Sequence, residues 1–88
     1  MAPKKNKHVY EKGHHFYFKY EPDFPELLHI FVRHRTTTQE SIKTFFGGVT
    51  IWNERFNRNE TTWFNYQLYW FWLDQRRRKI MVITCFTL

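Results

Sequence analysis

A single cysteine, Cys85, stands in this 88-residue chain, so no intramolecular disulfide can form and a reducing cytoplasm is the expected setting. It lies between Thr84 and Phe86 in an apolar, β-branched segment, where a thiol serves as packing. Long apolar runs are also missing. The longest, Leu68 to Leu73, falls far short of the ~20 residues that a membrane helix needs. Met1-Ala2-Pro3-Lys4-Lys5 leads into polar residues and not into the apolar core of a signal peptide, so neither secretion nor a membrane partner is expected. Glycine is scarce, and Gly47-Gly48 lacks the lysine and the spacing of a phosphate-cradling loop. His14 and His15 are adjacent, so a strand would point them to opposite faces, and Cys85 has no spaced partner. Neither a metal nor another cofactor is therefore expected. No Ser/His/Asp set, internal repeat or low-complexity segment stands out. Acidic residues are in deficit: eight Asp and Glu against fourteen Lys and Arg leave a formal charge of +6. That excess favours polyanionic partners such as RNA, DNA or an acidic protein, although a merely basic soluble protein would show it too.

What the chain has in abundance is aromatic side chains: ten Phe, five Tyr and four Trp. A domain of this size buries roughly 60–65% of its unfolded surface, and each buried aromatic removes about 150–250 Å² from water. One domain without disulfide or metal is therefore stable on this composition, with some aromatic surface left over for a ligand or partner. The densest segment is Thr62 to Leu73, in which seven of twelve residues are aromatic. Asp74-Gln75-Arg76-Arg77-Arg78-Lys79 follows, and then Ile80 to Phe86 resumes an apolar, β-branched pattern. Two strands joined by a basic turn account for that order.

Along the chain, residues 1–13 carry Lys4, Lys5, Lys7 and Lys12 without periodicity and read as a flexible basic tail before a single domain over 14–88. His15 to Tyr20 alternates and predicts a first strand. Asp23 and Glu26 form a capping-box pattern with Pro25 in the first turn, and Phe24, Leu27, Leu28 and Phe31 make a helical stripe. Ile30 and Val32 leave a strand open as the alternative over 27–35. Thr37 and Glu40 make a second capping box, opening a short helix with Ile42, Phe45 and Phe46 on one face and Gly47-Gly48 at its end. A strand from Val49 towards Phe56 and a turn at Asn57-Arg58-Asn59-Glu60 lead to the aromatic strand. The expected order is β-α-α-β-β-β: an α+β domain with two short helices packed on an antiparallel sheet.

Chemistry concentrates in His29-Ile30-Phe31-Val32-Arg33-His34-Arg35. On a helix His29 and Arg33 share a face. Imidazoles move protons near neutral pH, and guanidinium groups hold phosphates. RNA cleavage through the 2′-hydroxyl needs a base, an acid and a cation at the phosphorus. His29, His34 and Arg33 can fill those roles, with Arg35 as a further phosphate contact. The same cations would equally suit the negative end of a helix dipole. Arg55 and Arg58 can reach a backbone phosphate or pair with Glu54 and Glu60. Arg76, Arg77, Arg78 and Lys79 can steer and contact phosphates or simply keep a turn solvated. Trp63, Tyr66, Tyr69 and Trp70 can stack on bases where exposed.

The element order, the size, the charge, Arg33-His34-Arg35, Thr37-Thr38-Gln39-Glu40 and the segment Tyr69 to Phe86 together resemble the RelE/ParE-like toxin superfamily, in particular its BrnT-like branch and prophage relatives. The resemblance covers about residues 15–88. Such toxins cleave mRNA or poison gyrase and are held inactive by an antitoxin; the resemblance implies a metal-independent endoribonuclease or an RNA-binding relative, with Arg33, His34, Arg55 and Arg58 at the RNA. The terminal strand offers Thr84, Cys85 and Thr87 where such an enzyme would carry a His or Tyr acid. A different function also fits the composition: a non-enzymatic phage or mobile-element protein that binds a host protein through exposed aromatics. A homodimer paired through an edge strand is a third expectation.

Overall fold

A computed structural model describes residues 6–88. The chain runs β1 (Asn6–Glu11), β2 (His14–Glu21), β3 (Phe24–Leu28), α1 (His29–His34), α2 (Thr38–Gly47), β4 (Val49–Asn53), β5 (Arg58–Trp63), β6 (Tyr66–Asp74) and β7 (Lys79–Thr87). The seven strands form one mixed sheet in the order β1-β2-β7-β6-β5-β4, with β3 against β2. The fold is thus α+β but mostly sheet, with 58% of the described residues in strands. The expected antiparallel sheet is corrected at one junction, because β2 runs parallel to β7 from His15↔Lys79 to Phe18↔Val82.

Alternation in β2 works as its sequence predicts. Phe16 and Phe18 are fully buried, each contributing roughly 1.5–3 kcal/mol relative to exposure. They pack with Ile30, Ile42, Leu68, Trp70, Ile80, Val82 and Cys85. Phe45 on α2 closes this core, with its ring edge-on to Phe16 at 5.2 Å and to Trp70 at 4.9 Å. The Thr37/Glu40 capping box is present in both directions: Glu40 N–H donates to Thr37 Oγ1 at 3.1 Å, and Thr37 N–H donates to Glu40 Oε1 at 2.9 Å. Gly48 ends α2 where a Cβ would stand 2.5 Å from the Thr62 carbonyl oxygen.

Four expectations are corrected. The flexible tail gives way over residues 6–11 to β1, whose Asn6 to Glu11 pair with Lys19 to His14; Lys4 and Lys5 lie outside the described residues. The hairpin loop is Lys12-Gly13, both at positive φ (48° and 75°), the backbone that a tight two-residue turn requires. The helix expected from Asp23 starts only at His29. Pro22 and Pro25 hold the residues before them extended, so residues 24–28 add to β2 as β3. Ile30 is the buried residue of α1, while Phe24, Leu27 and Phe31 are exposed. The long aromatic strand is in fact two, broken at Phe64-Asn65 with Phe64 at φ 54°, and β4 stops at Asn53 before a turn over 54–57.

Candidate functional site

β2 and β7 part company beyond Phe18↔Val82, and α1 lies against both strands there. A buried hydroxyl fastens it: Thr36 Oγ1 lies 2.6 Å from the Cys85 carbonyl oxygen and 3.1 Å from that of Ile30. This placement carries the side chains of α1 to the end of β2, where Glu21 is buried at 2% exposure. Glu21 accepts two hydrogen bonds from Arg33, from Nε at 3.1 Å and from Nη2 at 3.0 Å. His29 Nδ1 stands 3.2 Å from Glu21 Oε2. Asp23 lies 3.7 Å from Arg33. The hydrogen bonds from Arg33 outweigh the cost of burial and, with His29, hold the Glu21 carboxyl below its ordinary pKa. An ionised Glu21 takes the proton on His29 Nδ1 as its hydrogen-bond donor, which leaves Nε2 for chemistry.

His34 completes the cluster. Its ring is 5.9 Å from that of His29 and 5.6 Å from that of Phe86. Loss of solvent around the ring, followed by repulsion from His29 and Arg33, lowers the pKa of His34 below the usual histidine value. From Phe86 an aromatic path crosses the sheet face away from α2. Tyr69 meets Phe86 edge-on at 5.2 Å, and the Arg58 guanidinium lies 3.7 Å over the Tyr69 ring. Arg58 also covers Phe56 at 4.6 Å and donates to Glu60 at 2.8 Å. By register the same face carries Tyr17, Lys19, His15 and His8 on β2 and β1. His8 and His15 hydrogen-bond at 2.8 Å, and His8 stacks between His15 and Tyr17 at 5.0 Å from each ring centroid.

The sequence-derived residues fall into two groups. His29, Arg33 and His34 are brought together as expected, and Arg58 sits on the same open face, although inside β5 and not in a turn. Arg33 spends two of its donors on Glu21, so holding that carboxylate is its principal work. Arg35 caps α1 at φ 56° and lies over Phe31 at 5.7 Å. Arg55 is exposed in the turn over Phe56. Arg76, Arg77 and Arg78 belong to the β6–β7 turn and Lys79 begins β7. At about 3.3 Å per residue that turn is ~23 Å from Phe86, at the far end of the strand. Of the aromatics expected to stack, only Tyr69 lies on the open face. Trp70 is buried and donates to Thr61, Tyr66 hydrogen-bonds Glu40, and Trp63 packs beside Gly47. Sequence reasoning missed Glu21, which lies just past the first strand expected over His15 to Tyr20. Its one signal was position, since it ends the alternating strand on the parity of His15, Tyr17 and Lys19 and is followed by a proline.

Among the described residues no group of three or more His, Cys, Asp or Glu is placed to hold a metal ion. No described helix is long and apolar enough to cross a membrane. No family model matches the chain, and no curated protein or solved structure does either.

Proposed function

We propose that the protein binds single-stranded RNA on its open sheet face and acts there as a RelE-like toxin, a metal-independent endoribonuclease. The observation that carries this reading is the Glu21–His29 pair, with Arg33 and His34 beside it, at one end of the Phe86–Tyr69–Arg58 path. Aromatic rings on a strand accept bases by stacking, worth about 1–3 kcal/mol per base, and the formal charge of +6 attracts the backbone. In the reaction His29 Nε2 takes the proton of the 2′-hydroxyl, and Glu21 stabilises the imidazolium that forms. The 2′-oxygen attacks phosphorus, the bond to the 5′-oxygen breaks, and protonated His34 supplies the proton to that leaving oxygen. The products are a 2′,3′-cyclic phosphate and a 5′-hydroxyl end. The free edge of Arg33 and the guanidinium of Arg58 face the phosphates.

Binding and cleavage are tested separately. Affinity for a fluorescent single-stranded RNA should fall steeply from 50 to 200 mM salt, as expected for phosphate contacts (about 300-fold for six contacts on a single strand, less for fewer). Tyr69→Ala should weaken it by roughly 5- to 100-fold. Salt-independent binding, or none, would remove RNA as the ligand.

A second reading rests on a separate surface. Phe24, Leu27 and Phe31 are 56%, 43% and 41% exposed and, with Val32 and Arg35, line one shallow groove beside α1. An antitoxin or host protein that buries these rings would bind with little response to salt. Substituting Phe24 and Phe31 by Ser should abolish that binding and leave RNA affinity unchanged.

A further inference from the structure

Among the described residues the sheet ends in two long edges, β1 and β4, and they are built differently. β1 carries Lys7 and Glu11, the charged residues that natural edges use against unwanted pairing. β4, Val49-Thr50-Ile51-Trp52-Asn53, carries no charge and no proline, and among the described residues it pairs only with β5. Its Val49, Ile51 and Trp52 are 72%, 69% and 53% exposed. A row of unpaired backbone donors and acceptors flanked by apolar side chains is a template for another strand.

We infer that the occupant is a second copy of this chain, paired antiparallel along β4 about a two-fold axis through Ile51. Outward-facing backbone groups recur at every second residue, so a symmetric antiparallel pair is centred on a residue and not between two. Centring on Ile51 overlaps the whole strand: Ile51 faces Ile51 of the second copy, Thr50 faces Trp52, and Val49 faces Asn53. The chain is cationic overall, yet this strand brings no like charges together, and Trp52 and Phe56, both more than half exposed, supply apolar area on each side of the axis. Pairing joins the two sheets into one and carries the open face across both copies. An interface of one strand pair and its flanking aromatics falls near the lower limit for specific association, about 1,000 Å² in total, so the dimer should be concentration-dependent.

The test is the mass of the full chain by light scattering or sedimentation at rising concentration. Wild type should move from the monomer mass towards twice that value. Ile51→Lys and Ile51→Glu, at an exposed position that leaves the core untouched, should each remain monomeric, and an equimolar mixture of the two should recover the doubled mass. Folding of each variant is checked by its near-ultraviolet circular dichroism. A wild type that stays monomeric up to about 1 mM overturns the inference. So does a dimer indifferent to Ile51→Lys, or a mixture in which opposite charges at position 51 fail to restore pairing.

Discussion

Thr36 offers a quantitative handle on how the site is held. Its side chain is 1% exposed, and its hydroxyl bridges α1 to β7 through the Cys85 carbonyl at 2.6 Å. Thr36→Val keeps the volume and the branching, so the packing terms stay small. What it removes is the donor to a carbonyl in a place without water, at an expected cost of about 1–3 kcal/mol. Thr36→Ser does the opposite: it keeps the hydroxyl and loses one methyl, worth roughly 0.8 kcal/mol. The predicted order of stability is wild type, then Ser, then Val, measured by urea denaturation with a common slope. In a domain of this length each 1 kcal/mol lowers Tm by roughly 4–8 °C. Hydrogen exchange should also quicken at Arg35 N–H, which donates to the Phe31 carbonyl at 2.9 Å inside α1. A Val variant more stable than the Ser variant would refute the reasoning, because packing and not the hydroxyl would then join helix to strand.

Other consequences follow from single groups. Thr84 carries the one buried side-chain oxygen without a hydrogen-bond partner among the described residues, so Thr84→Val should raise stability by about 1 kcal/mol in the same titration. The lowered pKa of His34 means that the unfolded chain binds its proton more readily. Its contribution to stability is therefore present above the ordinary histidine value of 6.5 and is lost as pH falls through the lower folded value; His34→Gln should flatten that part of a stability–pH curve. A second loss should appear at more acid pH as Glu21, Glu40 and Glu60, all held below their ordinary pKa values by hydrogen bonds, take up protons. Burial raises the Cys85 thiol pKa, so a disulfide reagent should label the protein only at the rate of unfolding, and rapid labelling in native buffer would show the strand to be open.

Elements set by strong local rules were legible in the sequence. The capping box fixed α2, alternation fixed the inward face of β2, and the turn chemistry of Asp74 to Arg78 fixed the β6–β7 hairpin, where Arg77 N–H donates to Asp74 Oδ1. Elements that depend on a neighbour were not. β1 has little apolar content and is a strand because β2 offers it an edge. β3 carries a helix-like stripe, but Pro25 within it and Pro22 before it favour the extended backbone that β2 then pairs. The break at Phe64 lacks a glycine or proline to announce it. The parallel β2–β7 contact joins residues more than sixty apart, and no local pattern encodes it. The same limit applies to the site. His29, Arg33 and His34 are close in sequence and could be grouped from it, whereas Glu21 holds His29 and Arg33 from a strand eight or more residues away. The open-face aromatics could be separated from the core ones only once the parity of each strand was fixed, and the β-bulge opposite Tyr69 and Trp70, where Ile83 is the extra residue, shifts the parity of β7 midway and turns Phe86 to the open face.

The central claim is that His29, oriented by Glu21, cleaves RNA without a metal. The most direct measurement is cleavage of a single-stranded RNA by the purified full chain in EDTA, beside His29→Ala and Glu21→Gln, with end-group analysis of the products. The account predicts 2′,3′-cyclic phosphate ends from wild type, a loss of about 10²- to 10⁴-fold in His29→Ala, a smaller loss in Glu21→Gln, and an alkaline decline governed by His34 below the ordinary histidine value. Equal background cleavage by all three proteins, each shown to be folded, would contradict it.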